Sequence, residues 1–261
     1  MEGKGLKEEL EDSSASKLKT QNFIGCNFAQ RKPFYMKLTY YGQSCFAVNA
    51  GGKNLLFDPF ITPNELAKHI HLKDIKADYI LVSHGHGDHV ADCVQLAKQN
   101  NATVIGSFEV VNWLNKQGVE KFHPMNHGGQ WKFDFGTVKC TNAIHSSNMP
   151  DGSYGGNPMG FLVTTSDKTF YYAGDTALTM DMQLIPRWGK LDFAVLPIGD
   201  NFTMGYEDAI IAAEMIQCKK IVGVHYDTFG FIKIDHEKVK KAFDDAGLNL
   251  YLPRIGESVE L

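Results

Sequence analysis

Short apolar runs bounded by glycine, proline and polar residues recur from residue 36 onward, and they predict strands alternating with helices. Strands are expected over residues 37–41, 44–48 and 53–57, the last two joined by the hairpin signal Asn49-Ala50-Gly51-Gly52. A buried strand over 77–82 is followed by a helix over 90–97, where apolar side chains fall at helical spacing. Further strands are expected over 102–106, 130–135, 137–144, 161–165, 169–172, 191–197 and 220–224. Helices are expected over 108–117, closed by Gly118, and over 208–216, with Ile211, Ala212 and Met215 on the apolar face. A last helix spans 236–246, with Asp235 as N-cap and Gly247 at its end. The two halves each read as strands followed by helices, which fits two packed sheets flanked by helices.

Residues 1–35 break this pattern. Glu, Lys and Ser dominate the first twenty positions without usable periodicity, so a disordered extension is expected there, ahead of one domain over 36–261. An apolar fraction of 43% suits a single large core. A net charge of −4 without a Lys/Arg-rich run argues against a nucleic-acid surface. No apolar stretch approaches the ~20 residues of a membrane span, and a signal-peptide core is lacking. The five scattered cysteines read as buried free thiols in a reducing compartment, so a cytoplasmic protein is expected.

The chemistry concentrates in Ser83-His84-Gly85-His86-Gly87-Asp88-His89, on the loop between the strand over 77–82 and its helix. Four strong metal ligands fall within six residues, spaced by glycines that are expected to let alternate imidazoles converge. Imidazole and carboxylate without thiolate suit zinc, manganese or iron and leave room for water. His145, Asp175 and His225 each follow a predicted strand, where a ligand is held on a rigid support.

The order Leu56-Phe57-Asp58-Pro59, the His84 loop, His145, Ala173-Gly174-Asp175-Thr176 and Gly223-Val224-His225 resembles the metallo-β-lactamase superfamily over residues 36–261. Tyr41-Gly42-Gln43-Ser44-Cys45-Phe46 and the run from Leu196 to Gly205 are similar to a bacterial branch of metal-dependent hydrolases related to ascorbate-phosphate lactonases. The resemblance implies an α/β fold, a four-layer αββα sandwich with a two-metal site at one edge. It assigns His84, His86 and His145 to a first divalent ion, Asp88, His89 and His225 to a second, and Asp175 to a bridge. Zinc is the first expectation and manganese the second. Asp58 is expected to support the His loop by hydrogen bonds. Gln43 stands where many relatives carry His, and no role is assigned to it. His86 stands where di-iron redox relatives carry Glu, which favours hydrolysis.

The implied activity is attack by a metal-bound hydroxide on a small ester, lactone or phosphorylated substrate, with Asp88 orienting the nucleophile and taking a proton. Asp200, Asn201, Thr203, Tyr226 and Thr228 are candidate substrate contacts. His123 and His127 read as structural or solvated residues of a loop, and His69, His71 and His236 receive no role. The alternatives are a nuclease or phosphodiesterase of the same fold, a phospholipase, or a non-catalytic metal-binding protein. The sequence leaves the oligomeric state open.

Overall fold

The computed structural model describes residues 36–261. The expected extension over 1–35 lies outside the described residues. Two seven-stranded sheets face each other. The first has the order β14-β1-β2-β3-β4-β5-β6: Ser258–Glu260, Lys37–Gly42, Cys45–Ala50, Lys53–Phe57, Tyr79–Leu81, Thr103–Ser107 and Phe122–Met125. The second has the order β13-β12-β11-β10-β9-β8-β7: Asn249–Tyr251, Lys220–Val224, Phe193–Pro197, Thr169–Tyr172, Met159–Thr164, Gly136–Asn142 and Gln130–Phe133.

Each sheet is antiparallel on one side and parallel on the other. In the first, β1 through β3 pair antiparallel and β3 through β6 pair parallel. In the second, β7 through β10 pair antiparallel and β10 through β13 pair parallel. Parallel strands align their C-terminal ends, which is where α/β sheets place ligands.

Between the sheets lies a core that includes Phe46, Phe57, Phe161, Phe170 and Tyr172, with Phe46 and Phe57 stacked at 4.5 Å. Helices α1 (Gly87–Val90), α2 (Cys93–Asn100) and α3 (Phe108–Lys116) belong to the first half of the chain. Leu96 of α2 and Val110 and Leu114 of α3 bury against Leu56, Ile80 and Val104 on the outer face of the first sheet. Helices α4 (Ile185–Trp188), α5 (Tyr206–Met215) and α6 (His236–Asp245) follow in the second half. Ala209, Ala212 and Ala213 of α5 and Val239 and Phe243 of α6 bury beside the second sheet. The Asp235 side chain caps α6 by accepting from the Lys238 N–H.

Three sequence expectations need correction. Ile211 is exposed, because α5 approaches its sheet through small alanines, which allow close contact. His123 lies in β6 rather than in a loop; Pro124 is compatible with β6 because the strand is at the sheet edge, where a missing N–H costs no ladder bond. Neither Gly85 nor Gly87 has a left-handed backbone. Gly85 is needed for space, since a Cβ there would stand 2.5 Å from Met149 Sδ, whereas a Cβ at Gly87 would meet nothing within 4 Å.

Candidate metal centre

The loops that leave the C-terminal ends of β3, β4, β10 and β12 carry Asp58, the His84–His89 run, Asp175 and His225. His145 follows β8. These positions form two groups whose donor atoms lie within 4.8 Å of one another: His84, His86 and His145; and Asp88, His89, Asp175 and His225. The first sheet's loops thus supply His84, His86, Asp88 and His89, and the second sheet's loops supply the rest.

Asp175 Oδ2 stands at the meeting point. It lies 3.0 Å from His225 Nε2, 3.2 Å from His89 Nε2 and 3.7 Å from His145 Nε2, so one oxygen reaches donors of both groups. Burial alone would raise the Asp175 pKa, but the His225 and His89 imidazoles outweigh it and hold the carboxyl well below the usual range. The same two imidazoles hold Asp88 down against its burial. Burial would push His89 and His225 down, yet the facing carboxylates, Asp175 foremost, pull both up. His84, His86 and His145 go the other way, lowered chiefly by burial.

Asp58 is fully buried and organises the support. Its Oδ1 accepts the Ser83 N–H at 2.7 Å, and its Oδ2 accepts Ser83 Oγ–H at 2.6 Å, His89 Nδ1–H at 2.8 Å and Tyr172 O–H at 2.5 Å. Because the one Ser83 hydroxyl proton goes to Asp58, Ser83 Oγ accepts from His84 Nδ1–H, 2.9 Å away. Nε2 is therefore the nitrogen that both His84 and His89 turn toward the centre. Asp92, also buried, accepts the Ile61 and Thr62 N–H groups and fixes the loop after Asp58.

Gln43 is the residue the sequence left without a role. It is fully buried, and its Nε2–H donates to Asp88 Oδ2 at 2.9 Å. Its main-chain carbonyl accepts the His225 backbone N–H at 2.8 Å. Ser44 Oγ lies 3.5 Å from Asp175 Oδ1. Gln43, Asp58 and His225 share a further property: φ is +54°, +42° and +56°. Left-handed backbone costs a non-glycine residue about 1–2 kcal/mol, and such strain gathers at functional sites. The signals were present but small, since Ser83 directly precedes His84 and Tyr172 lies three residues before Asp175.

The candidate substrate residues are placed differently. Asp200 and Asn201 form an exposed left-handed turn, with Asp200 Oδ1 accepting the Asn201 N–H at 2.7 Å. Thr203 Oγ1 donates within the same loop, to Met204 O at 3.3 Å. Tyr226 is buried and stacks on Tyr40. Tyr226 and Thr228 line a cavity of about 590 Å³ to which none of the seven donors contributes. His123 packs on Trp131 and Phe133, His127 bonds to the Pro158 carbonyl at 2.7 Å, and His236 pairs with Asp227 at 2.6 Å. His69 Nε2 lies 3.2 Å from the Ile255 carbonyl, and His71 precedes a short 3-10 turn.

The donor set fits divalent cations on its own chemistry. His89 Nε2 is buried without a hydrogen-bond partner, and it faces Asp175 and Asp88 oxygens at 3.2 and 3.4 Å. A buried nitrogen facing two carboxylates requires a positive species between them, which is a proton when no ion is bound and a place a divalent cation can take. Five imidazoles and two carboxylates without a thiolate suit zinc, manganese or iron.

Known proteins resemble this chain over most of its length. A family model for the β-lactamase superfamily domain matches residues 53–226. A metal-dependent hydrolase of Christiangramia forsetii is 56% identical over 227 residues, covering 87% of this chain and all of that protein. A metal-dependent hydrolase of Bacillus cereus is 48% identical over 232 residues, again covering 87% of this chain and all of that one. The solved structure of a metallo hydrolase from Ignicoccus hospitalis superposes with a TM-score of 0.78 at 32% identity, covering 87% of this chain and 99% of that one. With its paired sheets, its donors at the strand ends and relatives of this identity, the chain belongs to the metallo-β-lactamase superfamily and is one of its metal-dependent hydrolases.

Proposed function

We propose that the enzyme hydrolyses a small ester, lactone or phosphorylated molecule at a centre for two divalent ions. His84, His86 and His145 would hold the first, Asp88, His89 and His225 the second, and Asp175 both. The observation that carries this reading is the reach of Asp175 Oδ2 to imidazoles of both groups. Zinc is the first candidate and manganese the second. When bound, such ions acidify water toward neutrality and polarise a scissile oxygen.

The chain's own residues then have distinct tasks. Asp88 is a carboxylate at neutral pH, and its Oδ2 is oriented by Gln43, so it can accept the proton released by the attacking water. Asp58 acts through His89 and Ser83, fixing which ring nitrogen of His89 and of His84 faces inward. The resemblance to ascorbate-phosphate lactonases supports a lactone among the candidate substrates. A catalytic domain over 36–261 and a cytoplasmic setting complete the proposal; the four described cysteines, all buried and free, support the latter. Among the described residues no helix is long and apolar enough to cross a membrane.

The test is a hydrolysis screen of zinc- and manganese-loaded protein across lactones, 4-nitrophenyl esters, phosphodiesters and β-lactams, with metal analysis alongside. Turnover that disappears on chelation, returns on reloading and accompanies two ions per chain is the expected result. Turnover indifferent to chelation, or a plateau at one ion per chain, refutes the two-metal reading.

A further inference from the structure

The segments that carry or support the seven donors are residues 41–45, 58–64, 83–92, 143–150, 173–180, 198–205 and 225–232. None contains Lys or Arg, in a chain that has 26 of them. The first such residue after His225 is Lys233, which is exposed. Lys240 and Arg254 line the Tyr226 cavity, to which no donor contributes. Among the described residues, these segments offer a phosphoryl group no guanidinium or ammonium beside the carboxylates of Asp88 and Asp175 to receive its remaining charge.

Large apolar side chains stand at the same segments instead. Phe202 is 50% exposed and Phe231 78%, with their rings 6.2 Å apart. Phe229, 37% exposed, lies 6.2 Å from Phe60, which follows Asp58-Pro59. Ile144, 50% exposed, directly precedes His145. The loops bearing these rings are locked to the centre. Met204, two residues after Phe202, donates its N–H to the Thr176 carbonyl beside Asp175 at 2.9 Å. Gly199 leaves room for the His225 carbonyl, where a Cβ would stand 2.0 Å away, and for Ile232. Single exposed apolar residues are ordinary, but several grouped on the loops of one site mark a binding surface.

Resting on the hydrolase reading, we infer that the substrate is uncharged and carries an apolar acyl or aryl group, which seats on the rim formed by Phe202, Phe229 and Phe231. This narrows the candidate esters and lactones to apolar ones and removes the phosphorylated class.

Calorimetric titration of zinc-loaded, full-length protein tests it independently of turnover, with acetohydroxamate, octanohydroxamate, benzohydroxamate and phenylphosphonate as probes. Octanohydroxamate should bind at least about tenfold tighter than acetohydroxamate, since burial of each methylene contributes. That ratio should fall below about threefold in Phe202→Ser/Phe231→Ser and persist in Phe202→Leu/Phe231→Leu, which keeps apolar surface. Benzohydroxamate should bind tighter than phenylphosphonate. Equal affinities for the two alkyl hydroxamates, no binding of either, a ratio unmoved by the serine pair, or preference for the phosphonate overturns the inference. So does a dimer that the serine pair dissociates while the ratio stays intact, which would make the rim an interface between copies. Absence of any ester or lactone hydrolysis by protein that still shows the chain-length gain would defeat the hydrolase reading and leave the rim standing.

Discussion

The side-chain amide of Gln43 donates to Asp88 Oδ2 at 2.9 Å, while the main-chain carbonyl of Gln43 accepts the His225 backbone N–H at 2.8 Å. One residue at the turn between β1 and β2 therefore aims a carboxylate and positions an imidazole. A hydrogen bond to a charged group contributes about 1.5–3 kcal/mol. Gln43→Ala should lower kcat/KM by about tenfold or more, with metal content near two per chain. Gln43→Glu should in addition move the acidic limb of the pH–rate profile upward, because a second carboxylate disfavours ionisation of Asp88. An acidic limb unchanged in Gln43→Glu would separate Gln43 from Asp88.

Asp175 and His145 should differ in what their loss removes. Asp175 Oδ2 faces imidazoles of both groups, whereas His145 belongs to one. His145→Ala is expected to retain about one ion per chain and Asp175→Ala less than that. Metal analysis of the purified variants decides the point, and wild-type stoichiometry in Asp175→Ala would refute the bridge.

Asp88→Asn keeps the shape and removes the proton acceptor. The expected loss in rate is about 10²–10⁴-fold, persisting at saturating metal. Full recovery of rate with excess metal would leave Asp88 a ligand only.

Acid should empty the centre in two stages. His89 and His225 are held above the ordinary histidine pKa and His84, His86 and His145 below it. Protons therefore compete for the second group's imidazoles at higher pH than for the first group's. As pH falls from neutrality, stoichiometry should step from two ions to one before reaching zero, and the ion retained should be the one lost in His145→Ala. Simultaneous loss of both ions would contradict this order.

Removing residues 1–35 should leave the melting transition and the hydrolytic rate as they are, because that segment offers no periodic apolar face to bury. A truncated protein that is insoluble or melts without cooperativity would make the segment part of the domain.

The seven candidate donors were legible from two signals, local clustering for four of them and, for the other three, a place after a strand together with the family resemblance. His84, His86, Asp88 and His89 cluster in sequence, and His145, Asp175 and His225 follow strands whose apolar runs are plain. Most strands were legible for the same reason. The edge strand β6 was not, since Phe122-His123-Pro124-Met125 has neither alternation nor a continuous apolar run. Strands β13 and β14 are three residues each, too short to carry a pattern. Gln43 and Tyr172 escaped for another reason: their roles depend on partners 45 and 114 residues away, and proximity in sequence to a donor, as Tyr172 has to Asp175, does not name that partner. Ile211 was misread because periodicity names an apolar stripe but not which part of it the neighbouring sheet reaches.

The first sheet's loops hold four of the donors and the second sheet's loops hold three. On the proposed assignment neither half of the chain supplies the whole donor set, so ion uptake would coincide with, or follow, the docking of one sheet on the other. Bound ions would then act as a clasp across the seam. Any species that favours the native state by mass action raises its melting temperature with its own free concentration. For this enzyme, heat tolerance would accordingly be a reading of the local supply of divalent metal as much as of the packing of its phenylalanine core.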